Sequence, residues 1–134
     1  MLSWDINWVA VLVAVIAFQA LGFLWYGLLF SKMWLAGMGK TREDISGGAG
    51  AAMVTGVISS AIAAVALALL LTLGHDPDLE LGITVGAIVG VGFIASSMVT
   101  SAAYEEKNQT VLWLGIGYQL VGMILMGAIL GGWQ

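Results

Sequence analysis

The chain has 134 residues, 60% of them hydrophobic and only 9% charged, with a formal charge of −4 and no cysteine; an average soluble domain is roughly 25% charged. That length allows one compact domain and leaves no room for a separate soluble catalytic domain. Four basic residues against eight acidic ones argue against a nucleic-acid partner, and the missing cysteines remove disulfides, thiol nucleophiles and iron–sulfur ligation.

The first apolar stretch covers residues 6–30 and contains no Asp, Glu, Lys, Arg or His. About 20 apolar residues of helix cross a hydrocarbon core about 30 Å thick, so this stretch predicts a membrane-spanning helix. A secretory signal has a basic leading segment and a shorter apolar core. Here Met1-Leu2-Ser3-Trp4-Asp5 carries an acid and no base, which predicts a retained first helix. Asp5 is the expected N-cap, since its carboxylate accepts from free backbone N–H groups of a first turn.

Residues 31–48 follow as the longest link, too short to bury a core of their own. Lys32-Met33-Trp34-Leu35 with Met38 predicts a short helix on the membrane surface, its apolar side chains dipping into the headgroup zone. Gly37 and Gly39 limit it to a turn or two, and Thr41-Arg42-Glu43-Asp44 reads as a second short, capped helical start.

The second apolar stretch is 49–73. Gly74 is expected to close it, and Asp76-Pro77-Asp78 is turn chemistry that stops a helix. The third and fourth stretches are 81–104 and 111–133, joined by the short link 105–110. Short links between successive spans predict an all-α, integral membrane, four-helix up-down-up-down bundle forming one transmembrane domain over residues 1–134, with 31–48 as its cytoplasmic loop.

Orientation follows from charge. Lys32, Lys40, Arg42 and Lys107 all fall in the first and third links, and the second link holds Asp76, Asp78 and Glu80 without a base. Positive charge marks the cytoplasmic side, so both termini are expected outside, on the periplasmic face of a bacterial inner membrane. Trp and Tyr gather at the two membrane boundaries. In this arrangement Trp4, Trp8 and Trp133 are interface anchors on one side, and Trp25, Tyr26, Trp34, Tyr104 and Trp113 on the other.

Ionisable groups at membrane depth are the usual equipment of proton relays and ion paths, because each is expensive to bury. The four stretches have none, which argues against pumping, ion exchange and intramembrane metallochemistry, and against an enzyme, since no base–nucleophile pair lies within the spans. His75 is the only histidine. A solvated imidazole beside a helix C-terminus explains it without a ligand, and one imidazole alone fits few metal sites. The acidic turn Asp76, Asp78, Glu80 lacks the glycine and bidentate acid of a calcium loop. Glu105 and Glu106 beside Lys107 read as surface ion pairing, for want of a cleft that would perturb paired carboxylates. No metal and no cofactor is expected.

Uncharged polar residues form the one suggestive pattern. Gln19, then Thr55, Ser59 and Ser60, then Ser96, Ser97, Thr100 and Ser101, then Tyr118 and Gln119 fall at similar depth at about 1.5 Å per residue. The candidate polar layer is Gln19, Thr55, Ser59, Ser97, Ser101, Tyr118 and Gln119. Interhelical hydrogen bonding, usually below about 1 kcal/mol per bond, is the preferred reading; a pocket for a quinone, a lipid headgroup or a small neutral solute is the other. Gln19 and Gln119 are the residues to test, an unpaired amide at that depth being costly.

Small residues recur every four positions: Gly82, Gly86 and Gly90; Ala52, Gly56, Ser60, Ala64 and Ala68; and Gly127 with Gly131. Such ridges let helices approach closely. Two would suffice for the bundle, and the surplus hints at a further helix from another chain. The expected role is therefore a non-enzymatic accessory subunit, partnered by membrane lipids and other transmembrane subunits of a respiratory or photosynthetic type of complex, where it would line a lipid or quinone path. The alternative is a small carrier or channel for a neutral or lipidic molecule; it expects Gln19→Ala or Gln119→Leu to abolish uptake while leaving folding intact.

Asn7-Trp8-Val9-Ala10-Val11-Leu12, Leu21-Gly22-Phe23-Leu24-Trp25-Tyr26, Gly117-Tyr118 and Met126-Gly127-Ala128-Ile129-Leu130 with Trp133 resemble a bacterial membrane family, domain of unknown function seventeen sixty-one. The resemblance covers both ends of the chain and is weaker through the second and third stretches. The family pattern has a proline shortly after the Trp-Tyr pair, where this chain has Leu28. It implies a small four-helix inner-membrane protein and carries over no reaction, cofactor or catalytic residue.

Overall fold

A computed structural model of the chain describes residues 4–39, 49–74, 77–105 and 108–133. The readings placed on Lys40 to Asp44, His75, Asp76, Glu106 and Lys107 lie outside the described residues, and no side chain is described for Met38, on which one reading rests, or for 49–52. Among the described residues the protein is all-helical and has no strand. Four helices are long and apolar enough to cross a membrane: Trp8–Leu29, Met53–Leu71, Leu79–Glu105 and Gln109–Gly132. They mark a multi-pass membrane protein.

The first span is α1 (Trp8–Gly22), continued by a π-helical segment, Phe23–Leu29. The N-cap of α1 is Asn7, not Asp5: its side chain accepts from the Ala10 N–H at 3.1 Å. The Asn7 amide also donates to the Trp133 carbonyl at 3.2 Å, so one residue caps α1 and ties it to the C-terminal end of the chain. The span ends without a proline. The Phe30 N–H reaches back five residues to the Trp25 carbonyl at 2.9 Å, and Phe30 leaves helical geometry at φ −123°, ψ 19°.

Next comes α2 (Ser31–Met38), two turns long, closed by Gly39 at φ 69°. That left-handed conformation strains any residue with a Cβ and suits glycine at a helix end. It packs on the last helix, where a Cβ at Gly37 would stand 2.7 Å from Val111 Cγ2.

The second span, α3 (Ala49–Leu71), stops three residues before Gly74. The N–H groups of Thr72, Leu73 and Gly74 bond three residues back, to Leu69, Leu70 and Leu71, tightening the last turn as 3₁₀ ends do. The third span begins two residues earlier than hydropathy alone predicts, because the Asp78 carboxylate caps it by accepting from the Leu81 N–H at 2.8 Å. It runs as α4 (Leu79–Ile88), a second π-helical segment (Val89–Ala95) and α5 (Ser96–Glu105). The fourth span, α6 (Gln109–Gly132), is capped by Asn108, which accepts from the Thr110 and Val111 N–H groups.

The fourth span is the hub. Its most apolar stretch is 44% buried against 17% for the third span, and among the described residues every other helix packs on it. The main core joins Ala10, Val11, Ala14, Val15 and Phe18 of α1 with Ala64, Leu67, Ala68 and Leu71 of α3 and Met123, Met126 and Leu130 of α6. Lipid is as apolar as leucine, so this contact is held by close packing more than by exclusion of water.

The glycine ridges supply the closest approach. Gly82 lies against Gly127 and Gly131, Gly86 against Met123 and Ile124, and Gly90 against Leu120. A Cβ on Gly82 would run into the Gly127 carbonyl, and one on Gly86 into the Met123 carbonyl; no side-chain rotation relieves either clash. The ridges of the third and fourth spans are thus spent on each other. On α3, Ser60, Ala64 and Ala68 are buried while Gly56 faces Gln19. Among the described residues, most of these ridges therefore pack inside this chain.

Candidate functional site

The core above is concentrated near the end of the bundle that holds Asn7 and Trp133. Toward the other end of α3, Met53, Val54, Thr55, Val57, Ile58 and Ser59 are exposed, and there the spans part. A cleft of about 470 Å³ lies between α1, α3 and α6, open on one side. Its walls include Phe18, Ala63 and Met123; its polar lining is Gln19, Thr55, Ser59, Ser60, Tyr118 and Gln119. The volume falls within the few hundred to about 1,000 Å³ usual for a small-molecule site.

Each polar group has a distinct role. The Gln19 amide nitrogen donates to the Gly56 carbonyl at 3.2 Å and to Ser60 Oγ at 2.9 Å, joining α1 to α3. Ser60 Oγ in turn donates to the Val57 carbonyl at 3.0 Å, one turn back on its own helix. Ser60 is a packing residue and also the partner of Gln19. Tyr118 donates to the Phe18 carbonyl at 3.3 Å across α1 and α6, its ring 4.8 Å from that of Phe18 and 5.4 Å from that of Tyr26. Gln119 is half-buried, and among the described residues neither its amide nor the Ser59 hydroxyl has a hydrogen-bond partner. Gln119 lines the cleft, and its amide is not fully buried, since no fully buried polar side-chain atom among the described residues lacks a partner.

Ser97 and Ser101 do not join this site. The face of α5 that meets α6 is Met98 and Ala102, with Ala95 just before it, packed on Leu112 and Ile116. Ser96, Ser97, Thr100 and Ser101 are on the exposed side. There Ser96 Oγ donates to the Gly92 carbonyl at 2.8 Å and Thr100 Oγ1 to the Ser96 carbonyl at 3.1 Å, the local bonding that satisfies hydroxyls within a helix. The third span reaches the right depth and faces the wrong way.

The aromatic residues divide. Trp4, Trp8, Trp113 and Trp133 are exposed and free to lie at membrane boundaries. Trp25 and Tyr26 instead turn inward. Trp25 Nε1 donates to the Leu114 carbonyl at 3.0 Å, and its ring lies where a Cβ on Gly117 would stand, 2.8 Å from Cζ2. Tyr26 packs between Tyr118 and Trp34 of α2, with ring centroids at 5.4 and 5.2 Å. Two features carried no sequence signal: the π-helical segments, and the apolar wall of Phe18, Ala63 and Met123, whose residue types also suit plain core. Among the described residues, no three His, Cys, Asp or Glu side chains converge as a metal site would require.

Comparison with known proteins finds no match among curated proteins and none among solved structures. The family described as "Protein of unknown function (DUF1761)" matches residues 9–131, extending the likeness seen at the two ends through the second and third spans. The chain belongs to this family.

Proposed function

We propose that this protein is a non-enzymatic inner-membrane protein that holds a neutral or lipidic molecule in the cleft between α1, α3 and α6, as a small carrier or binding protein. Its spans alternate in direction, up-down-up-down, with both termini on the periplasmic side, the orientation that Lys32, Lys40, Arg42 and Lys107 favour. The observation that carries the reading is Gln119: a half-buried amide with no partner among the described residues, on the wall of an open cleft. Such a group is costly in an apolar medium until something bonds to it. Ser59 is exposed at the same cleft, so Ser59→Trp fills the space from the surface without entering the core. Extraction and mass spectrometry of protein purified in mild detergent is expected to find one amphiphile per chain in the wild type and none in Ser59→Trp. Equal lipid content in the two overturns the reading.

A second reading, an accessory subunit of a larger respiratory or photosynthetic type of assembly, is favoured by one observation. Ser97 and Ser101 expose hydroxyls on α5 that have no partner among the described residues, and a neighbouring helix would satisfy them. It expects co-migration with larger subunits on a native gel. Migration alone or as a homo-oligomer overturns it.

A further inference from the structure

Resting on the reading of the cleft as a binding site, we infer that its ligand is an uncharged, hydroxyl-bearing lipid, such as a diacylglycerol or a long-chain alcohol, and neither a phospholipid head nor a quinone ring.

Few donors and acceptors in the cleft remain free. Both hydrogens of the Gln19 amide are committed, to the Gly56 carbonyl and Ser60 Oγ. Its Oε1 therefore has lone pairs and no hydrogen to offer, and among the described residues no donor reaches it. Ser60 accepts from Gln19 and spends its own hydrogen on Val57. Tyr118 spends its hydrogen on Phe18. Thr55, the remaining polar residue of the lining, has a partner of its own, so what the cleft presents to a guest is one acceptor at Gln19, a whole amide at Gln119 and one hydroxyl at Ser59, beside the spare oxygen lone pairs of Ser60 and Tyr118. A primary amide offers two hydrogens and a carbonyl, and a hydroxyl offers one of each kind.

That set matches a head that both donates and accepts. A lipid hydroxyl donates to Gln19 Oε1 or the Gln119 carbonyl and accepts from the Gln119 N–H or Ser59, and an ester carbonyl takes a second donor. A quinone only accepts, so it leaves Gln19 Oε1 dry in a desolvated site. A phosphate brings negative charge to a depth where the chain has no cation, the four apolar stretches containing no Lys, Arg or His; an unpaired charge there is far more costly than an unpaired amide. An ammonium head fails for lack of a carboxylate. The apolar wall of Phe18, Ala63 and Met123 takes the first methylenes, and exposed Ile62, one turn beyond Ser59 on α3, extends an apolar surface for the rest of the chain.

The test is native mass spectrometry of the full chain in a neutral detergent, offered dioleoylglycerol, dioleoyl phosphatidate and decylubiquinone at equal concentration. One dioleoylglycerol per chain is expected, at least tenfold in excess of either competitor. Gln119→Leu is expected to cut its retention about tenfold, and Ser59→Ala to cut it less, with thermal stability in detergent unchanged in both. Equal or better retention of phosphatidate or decylubiquinone overturns the ligand class and leaves the cleft reading standing. Retention of dioleoylglycerol that neither substitution weakens overturns the assignment of these residues. Retention of none of the three overturns the class, and if Ser59→Trp also matches the wild type in extracted lipid, the cleft reading falls with it.

Discussion

Gly82→Val is expected to break the packing of α4 on α6 and to destabilise the protein by about 3 kcal/mol or more, at or beyond the upper end of ordinary overpacking. Most small-to-large changes are absorbed by side chains that rotate away. Here the first atom met is the Gly127 carbonyl, with the Gly131 Cα at 3.1 Å behind it, so only separation of the two backbones makes room. Separation also loosens Gly86 from Met123 and Ile124 and Gly90 from Leu120, and in lipid no exclusion of water pulls the helices back together. Gly92 is the internal control: a Cβ there meets nothing within 4 Å. Gly92→Ala is expected to be neutral, or to stabilise by up to about 1 kcal/mol through helix propensity. Thermal unfolding in mild detergent separates the two, and equal loss in both variants rejects the close crossing.

These two glycines show where sequence reading succeeds and where it stops. Period-four spacing at Gly82, Gly86 and Gly90 signals close approach, and the length of each apolar run signals a span, because the bilayer fixes both requirements in one dimension. What a membrane erases is azimuth. In water the polar face of a helix points outward, so the pattern tells which side is buried. In lipid the hydroxyl-bearing face of α5 is not bound to point at water, and depth alone puts Ser97 and Ser101 in one layer with Gln19 and Gln119. The structure sets Met98 and Ala102 inward and turns the hydroxyls away. The ridge of α6 illustrates the same gap: Gly127 and Gly131 were legible as a packing surface, but nothing in their spacing said that α4, within the same chain, would cover it. The cap of α1 depends on something else again. Asp5 and Asn7 are both good caps, and only the course of the backbone selects Asn7.

Gln19 and Gln119, equivalent by depth and chemistry, are expected to separate in stability. Gln19→Leu removes two bonds that join α1 to α3, at 2.9 and 3.2 Å. Interhelical bonds in a membrane average about 0.6 kcal/mol and reach about 1.7, so the loss is about 1–2 kcal/mol. It stays that small because Ser60 keeps its bond to Val57 and the released Gly56 carbonyl can still serve its own helix. Gln119→Leu has no bond to lose among the described residues and removes an unpaired amide from an apolar wall, so stability is expected to hold or rise slightly. This revises the expectation that a change at either glutamine would spare the fold. A double variant, Gln19→Leu with Ser60→Ala, is expected to cost little more than Gln19→Leu alone, since the two residues share one bond. Unfolding curves in the same detergent decide the matter. Equal destabilisation by the two single leucine variants would show that Gln119 holds the helices together as Gln19 does, and its amide would then no longer be free to meet a guest.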